Sequence, residues 1–389
     1  MLNILDYRNN VIWDAKGIDV IHDVRYQYKK TLKQGHLNLL QRTMPKISAK
    51  NKRSRSEEDQ GKNVVPIKLR KILISNGATR DVKDNGSRTP LHIAAATRDI
   101  DTCQLLISKG AKVDAINSFE QTPLHIAVKT KNRDICQLLI SKGSTVDTRN
   151  IWNRTPLNTA VMNGYLDMCQ QLISKSAAID TMDIFKQMPL HIAVTNGNLN
   201  ICQELISKGA AIDAINSRKE TSLHVAAATR DIDTFQLLIS KGAKVDAINC
   251  FKQTPLHIAV KAENLDICQL LISNGAEIDA IDSEGKTPLH RAVEKGNSEI
   301  CQLLISKGAT IDSVGSLNET PLHTAVETKN KDICLVLISK GAKVDALNSF
   351  KQTPLHIAVK TKNLDICQLL ISNGAEIDAI DSEGKTPLH

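Results

Sequence analysis

The sequence has 389 residues, of which 41% are hydrophobic and 24% are charged, which is typical of a folded, water-soluble protein. It contains no run of 18 apolar residues, and Asp6 and Arg8 lie where a secretory signal needs an apolar core, so we expect no membrane span and no export. We therefore predict a cytoplasmic location. The net charge of +8 is uneven: residues 1–66 hold 13 Lys/Arg against 7 Asp/Glu, and the remainder holds 37 against 35.

The N-terminal part of the chain differs from the rest. Residues 1–45 mix aliphatic residues, Tyr and Trp13 with charges, which predicts one or two helices of unknown role. Residues 46–66 are charged and almost free of apolar side chains, so we predict a flexible linker. The linker contains the basic cluster Lys50, Lys52, Arg53 and Arg55. This cluster fits a nuclear import signal or, in the interpretation that we favour, a solvated tether.

A motif that recurs at one constant interval occupies the remainder of the chain. Thr-Pro-Leu-His or a close variant begins at Thr89, Thr122, Thr155, Met188, Thr221, Thr254, Thr287, Thr320, Thr353 and Thr386. The spacing predicts an array over 67–389, with a half-repeat at 67–88, nine full units at 89–385 and a truncated unit at 386–389. Because the sequence stops inside the motif, we expect a longer chain with a C-terminal cap or domain.

Each unit is predicted to contain two helices and an extended loop. Thr122 is an N-cap whose hydroxyl can accept a free backbone N–H, and Pro123 suits the first helical position. A second helix follows, in which Ile135 and Leu139 belong to one apolar stripe. Gly143 then suits a left-handed backbone conformation that ends the helix.

These features resemble the ankyrin repeat, whose pattern includes T-P-L-H-x-A and a spacing of about 33 residues. The resemblance covers about residues 67–389 and recurs in register. It implies an all-α repeat fold, a curved solenoid of stacked helix-turn-helix units with β-hairpin fingers. It also implies protein binding through the fingers and the concave face of the first helices.

Histidine and cysteine recur once in nearly every unit, which predicts a structural role. Equivalent histidines on packed helices lie roughly 8–10 Å apart, too far to share one ion, and equivalent cysteines are too far apart for a disulfide. Cys in the second helix is interpreted as a small buried hydrophobe, a position that Phe235 takes once. The sequence has no Gly-rich phosphate loop and no H-E-x-x-H motif, so we predict no enzymatic activity, no metal and no cofactor.

A row of lysines at the ends of the second helices is interpreted as a solvated face. Acidic residues balance these lysines and few aromatics are interleaved, so we predict no nucleic-acid binding. We also predict a monomer.

The residue three before each motif Thr is predicted to lie at the finger tip, where this chain often has a large apolar side chain. The predicted partner-binding residues are Phe119, Trp152, Phe185, Phe251, Leu317 and Phe350. Three consecutive tips, from Phe119 to Phe185, are expected to form a row with a step of about 10 Å. Such a row fits a partner site. Equally, each ring could lie flat against the next finger and cover the finger layer.

The unit at 155–187 breaks several rules of the pattern. Asn158 replaces the motif His, Ser176 replaces the Gly that ends the second helix, and Met188 replaces the following motif Thr. A non-Gly residue in a left-handed conformation and the loss of a cap cost on the order of 1 kcal/mol each. We therefore expect the array to open first near residues 155–190.

The leading functional hypothesis is a non-enzymatic scaffold that binds a partner protein. One alternative is an adaptor that recruits substrates to a modifying enzyme such as a ubiquitin ligase, with residues 1–45 or a further C-terminal segment as the docking element. Another alternative is an ankyrin-rich secreted toxin or host-directed effector, which needs an export or membrane segment.

Overall fold

The computed structural model describes residues 5–6, 11–12 and 80–388. Most of the predicted N-terminal segment 1–45, the linker 46–66 with its basic cluster, and the first part of the half-repeat lie outside these residues. Leu5–Asp6 (β1) pairs antiparallel with Val11–Ile12 (β2). These four residues are extended; the prediction of one or two helices within residues 1–45 named no positions and otherwise lies outside the described residues.

The chain divides into two compact units, Met1–Ile184 and Phe185–His389. In the described part of the first unit, each predicted repeat contributes a first helix of seven residues and a second helix of nine. The helices are α1 Pro90–Ala96, α2 Ile100–Ser108, α3 Pro123–Lys129, α4 Arg133–Ser141, α5 Pro156–Met162 and α6 Leu166–Ser174.

The second unit repeats the same helix pair. Its helices are α7 Pro189–Thr195, α8 Leu199–Ser207, α9 Ser222–Ala228, α10 Ile232–Ser240, α11 Pro255–Lys261, α12 Leu265–Ser273, α13 Pro288–Lys295, α14 Ser298–Ser306, α15 Pro321–Glu327, α16 Lys331–Ser339, α17 Pro354–Lys360 and α18 Leu364–Ser372. A 3₁₀ turn, Ser316–Asn318, lies between α14 and α15.

Within each unit the helices form two layers. First helices pack on first helices, as α1 does on α3 and α3 on α5, and second helices pack on second helices. The core of a repeat consists of side chains with no exposed surface, such as Leu124, Ala127, Ile135, Cys136 and Leu139. Small Ala and Cys let the helices approach closely, while Leu and Ile supply the buried apolar area. The helical repeat fold predicted from the sequence is confirmed.

The helix ends follow the predicted chemistry. The Thr122 hydroxyl accepts a hydrogen bond from the His125 backbone N–H, and Gly143 adopts φ +88° after α4. Ser176 adopts φ +65° at the corresponding place after α6, so the predicted left-handed serine is present. Met188 has no hydroxyl and gives α7 no side-chain cap.

The connecting fingers are tight hairpin turns. The finger at 116–121 is closed by two backbone bonds, Asn117 N–H to Gln121 O at 3.1 Å and Glu120 N–H to Asn117 O at 3.0 Å. Two bonds make too short a ladder for regular strands, and residues 80–388 contain none. Among the described residues, no helix is both long enough and apolar enough to cross a membrane.

Candidate functional site

The motif histidine joins each first helix to the following finger. The Thr122 backbone N–H donates to His125 Nδ1 at 3.2 Å, and His125 Nε2 lies 3.0 Å from the carbonyl oxygen of Arg154, 29 residues further on. With Nδ1 accepting, the ring must be neutral and must carry its proton on Nε2. The sequence analysis predicted a structural role for this histidine, and the bond to the next repeat is visible only in the structure.

Burial holds these imidazoles in their neutral form. Desolvation lowers the pKa of His125 to about 4, although the bond to the Arg154 carbonyl opposes the shift. Desolvation also lowers the pKa of five other motif histidines. In each of them a hydrogen bond to a backbone carbonyl opposes this shift. These are His92, His224, His257, His290 and His323. A buried neutral histidine with both nitrogens bonded is a structural group.

Asn158 reproduces half of the histidine's bonding. Its Oδ1 accepts from the Thr155 backbone N–H at 3.0 Å and from the Thr155 hydroxyl at 2.8 Å. Its Nδ2 donates to Thr181 O at 3.3 Å, whereas a motif histidine contacts a carbonyl in the following finger. The shorter amide therefore keeps the contacts at the start of α5 and redirects the outer one.

A recurring aspartate makes a second bond between repeats that the sequence analysis did not predict. The Asp246 carboxylate accepts from the Glu277 backbone N–H, 31 residues on, at 2.9 Å, and Asp312 accepts from the Lys343 N–H at 3.0 Å. The sequence does contain an Asp eight residues before each motif, which was the feature that could have indicated this bond. The sequence alone does not identify the N–H that the Asp accepts from, because that N–H lies in the next repeat.

The recurring cysteines are packing residues. The cysteines of the described residues are free thiols, and all except Cys367 and Cys250 are buried. Desolvation raises the pKa of the Cys136 thiol to about 12, so the nucleophilic thiolate is not formed at neutral pH. Phe235, with no exposed surface, fills the same position in α10, which confirms the packing role predicted for it. Among the residues that the structure describes, no three His, Cys, Asp or Glu side chains are grouped to hold a metal ion.

The finger tip is shaped by an asparagine. Asn117 Oδ1 accepts from the Phe119 N–H at 2.8 Å and from the Gln121 N–H at 3.0 Å, which fixes the turn. Glu120, directly after the tip residue, adopts φ +55°. Gly315 supplies no such side chain in its finger, and there Leu317 itself adopts φ +62°.

Each tip residue also uses its carbonyl to hold the next finger. The Ile151 N–H donates to Phe119 O at 3.1 Å in the first unit, and the Ser283 N–H donates to Phe251 O at 2.8 Å in the second. The backbone of the tip is thus part of a finger-to-finger ladder. The side chain at the tip takes no part in this ladder.

The predicted binding residues differ in exposure. Phe119 is half-buried, whereas the other five are more exposed. Their exposed fractions are Trp152 37%, Phe185 38%, Phe251 54%, Leu317 53% and Phe350 49%.

The rings of Phe119 and Trp152, two of the predicted binding residues, contact each other. The ring centroids of Phe119 and Trp152 lie 5.7 Å apart with an interplanar angle of 14°. The wider step that helix packing predicts between tip side chains is therefore wrong for this pair, because the two rings lean together instead of projecting in parallel. For this pair, the second interpretation, in which a ring lies against the next finger, therefore applies. Trp152 nevertheless keeps part of its surface exposed.

An aliphatic row beside the tips was missed in the sequence analysis. The residue six before the motif Thr is large, apolar and exposed in most fingers, for example Ile248 at 56% and Ile281 at 60%. The row contains Ile116, Met182, Ile215, Ile248, Ile281, Val314, Leu347 and Ile380. The sequence feature that could have revealed these residues was an apolar side chain that recurs at a finger position outside the predicted core.

Charged pairs join some fingers to the next finger or to a helix. Arg154 lies 3.2 Å from the buried carboxylate of Asp183, and Arg291 Nε donates to Asp282 at 2.8 Å. Burial alone raises the pKa of Asp282, but hydrogen bonds from Arg291 and two backbone amides outweigh it and hold that pKa below its ordinary value. These charges are satisfied internally and position the fingers.

The fold and the finger surface together define a repeat protein of stacked helix pairs that presents recurring loops. The pattern described as ankyrin repeats (3 copies) matches residues 63–150, 114–183, 157–249, 223–314, 256–348 and 322–389. The chain therefore belongs to the ankyrin-repeat family.

A solved structure shows the same fold. The chain is similar to the crystal structure of the ankyrin repeat domain of Bcl-3, described as a unique member of the IkappaB protein family. The two are 29% identical with a TM-score of 0.51, over 55% of this chain and 98% of that one. The chain matches no curated protein sequence. Ankyrin repeats are generally modules for protein–protein interaction, without a catalytic role of their own.

Proposed function

We propose that this chain binds a partner protein through its finger tips and through the exposed last turns of its first helices. The observation that carries the proposal is the large apolar side chain that recurs at the finger tips of both units. Five of the six predicted residues expose more than a third of their surface. Apolar residues that recur on a surface without joining a core are typical of protein-binding sites.

The last residues of the first helices vary in charge. Lys129 ends α3 exposed, whereas the corresponding residue of α13 is the half-buried Glu294. Lys131 adopts φ +52° and places its Nζ 5.1 Å from the centroid of the Tyr165 ring. A variable polar rim around apolar anchors supports selective binding of one partner.

The adaptor and the toxin hypotheses need further segments. Residues 1–45, which the adaptor would use for docking, lie almost entirely outside the described residues. No described residue favours either alternative over the scaffold.

Quantitative affinity capture tests the proposal. The bait is the full chain, compared with a finger variant in which Phe119, Trp152, Phe185, Phe251, Leu317 and Phe350 are all changed to Ser. A control variant changes Leu335 and Leu364, which are 45% and 70% exposed on second helices, to Ser. We expect the finger variant to lose a captured protein at least tenfold and the control variant to keep it. A partner retained equally by the finger variant would contradict the proposal.

A further inference from the structure

The second unit contains one finger pair twice. Residues 251–290 and 350–389 are identical except at Ala262/Thr361 and Glu263/Lys362. Both differing positions lie at the junction between a first and a second helix, away from the fingers. The duplication therefore gives the unit two copies of the same finger surface, separated by three repeats.

The first copy is a patch formed by Phe251, Lys252 and Ile281. Phe251 is 54% exposed and Ile281 is 60% exposed. They lie on adjacent fingers, which are joined by the bond from Ser283 N–H to Phe251 O at 2.8 Å.

The second patch, formed by Phe350, Lys351 and Ile380, has the same construction. Phe350 is 49% exposed, Ile380 is 61% exposed, and the Ser382 N–H donates to Phe350 O at 2.9 Å. Lys252 and Lys351 adopt almost the same backbone conformation, with φ +54° and +55°. The two patches therefore match in chemistry, exposure and backbone geometry.

Each patch also carries a lysine, Lys252 in the first and Lys351 in the second. Within residues 80–388, the side chains of Lys252 and Lys351 make no ion pair. The glutamates on the same patches are already engaged, Glu284 with Arg291 at 3.1 Å and Glu383 with Lys385 at 2.7 Å. A ligand complementary to one patch has a large apolar side chain next to a carboxylate.

We propose that the two patches are equivalent docking sites for a single protein partner that carries the same short apolar–acidic motif twice. This inference rests on the proposed function and specifies its partner. Packed helices lie roughly 8–10 Å apart, so three repeats separate the patches by roughly 24–30 Å. One ring and one aliphatic side chain form a weak site. Two sites bound by one partner gain affinity from the high effective concentration of the second motif.

The probe is a peptide selected from a phage-displayed random library by binding to the full chain. It is synthesised as a single copy and as two copies joined by a Gly/Ser linker of about 25 residues, whose r.m.s. length matches the separation. Isothermal titration calorimetry is expected to give a binding stoichiometry of two single-copy peptides per chain. The tandem peptide is expected to bind at least 100-fold more tightly than the single copy.

Single substitutions separate the two sites. Phe251→Ser and Phe350→Ser are each expected to leave one peptide per chain and to remove the gain of the tandem peptide. Leu335→Ser, an exposed residue of the second helix α16 that lies outside the fingers, is the control and should change neither value. A second set of variants leaves the apolar groups intact. Lys252→Glu and Lys351→Glu are each expected to lower the affinity of their own patch for the peptide about tenfold.

Three results would overturn the inference. They are a stoichiometry of one, binding that depends on Trp152 instead of the two patches, and a library that yields no binding peptide with an apolar residue beside Asp or Glu. Binding that depends on Trp152 would leave the proposed function intact. Failure of the proposed function itself is detected by the capture experiment with the finger variant.

Discussion

At the residue scale, the motif histidine joins its own first helix to the finger of the next repeat. His257 illustrates this: Nδ1 contacts the Thr254 N–H at 3.2 Å, and Nε2 contacts Lys286 O at 3.1 Å. Protonation of Nδ1 removes its acceptor and places a charge in a desolvated site. Stability of the array should therefore follow the titration of these rings.

We predict that acid destabilises the protein before its carboxylates titrate. The folded pKa of His125 is about 4 and lies below the unfolded value of about 6.5, so the unfolded chain binds the proton more readily between these values. The contribution is fully present above pH 6.5 and is lost as the pH falls towards 4. Each such histidine adds a slope of at most about 1.4 kcal/mol per pH unit. Urea unfolding midpoints between pH 7.5 and 4.5 measure it.

His125→Asn is the control, since the chain itself uses Asn158 at this position. We expect the variant to be less stable at pH 7 by about 1 kcal/mol, because the bond to Arg154 is lost, and to show a shallower pH dependence. An equal slope in the variant and the parent would show that His125 does not contribute to the acid sensitivity.

The sequence predicted much at this scale. The Thr caps, the helix-ending Gly143 and the buried Cys all follow from local chemistry within one repeat. The His125–Arg154 and Asp246–Glu277 bonds could not be predicted, because they depend on the offset at which one repeat docks on the next. That offset is set by packing of whole helices and is not encoded in any single motif.

At the scale of elements, the repeat at 155–187 is predicted to be the weakest part of the array. Ser176 adopts the left-handed conformation without being Gly, and α7 lacks a capping hydroxyl at Met188. Asn158 offsets part of the loss through its bonds to Thr155 and Thr181. The boundary between the two compact units falls within the same segment, after Ile184.

Ser176→Gly is expected to stabilise this repeat by about 1 kcal/mol, because Gly adopts a positive φ without steric cost. Hydrogen exchange should be fastest in residues 155–190 of the parent and slower there in the variant. The matched control is the reverse substitution Gly143→Ser, which should lower the stability of its repeat by a similar free energy. Nothing lies within 4 Å of a Cβ added at Gly143, so its effect reports the backbone conformation alone. Slowest exchange in 155–190 would contradict the assignment.

The Phe119–Trp152 stack gives a second prediction for an element. We expect Trp152→Ala to destabilise the first unit by about 1 kcal/mol, and to have a smaller effect when Phe119 is already Ala. A double-mutant cycle on the thermal midpoint measures the coupling. Additive effects of the two substitutions would show that the stacked rings contribute no mutual stabilisation.

The finger geometry shows the limit of the sequence at this scale. The spacing predicted which residues lie at the tips, and the Asn117 turn explains the result. The inclination of Phe119 towards Trp152 depends on side-chain rotamers that the motif does not determine. The distorted finger at Leu317 follows from the single change to Gly315, which removes the side-chain acceptor of the turn.

At the scale of the whole molecule, stability and binding are expected to depend on different residues, except for the stacked pair Phe119 and Trp152, which belongs to both sets. Within each unit, hydrogen bonds of buried His and of Asp side chains join neighbouring repeats, so damage to one repeat should spread only to adjacent ones. The apolar tips contribute little to those bonds through their side chains. The constant period of the motif predicted the architecture of both units, whereas the identity of the partner depends on surface residues that packing leaves free to vary.

The most direct test is the dissociation constant of the captured partner, measured for the parent, for the six-residue finger variant and for His257→Asn, under conditions in which circular dichroism shows all three folded. The account predicts at least a tenfold weaker constant for the finger variant and an unchanged constant for His257→Asn. Unchanged binding by the finger variant, or a comparable loss in His257→Asn, would contradict the claim that the fingers bind and the buried motif only supports them.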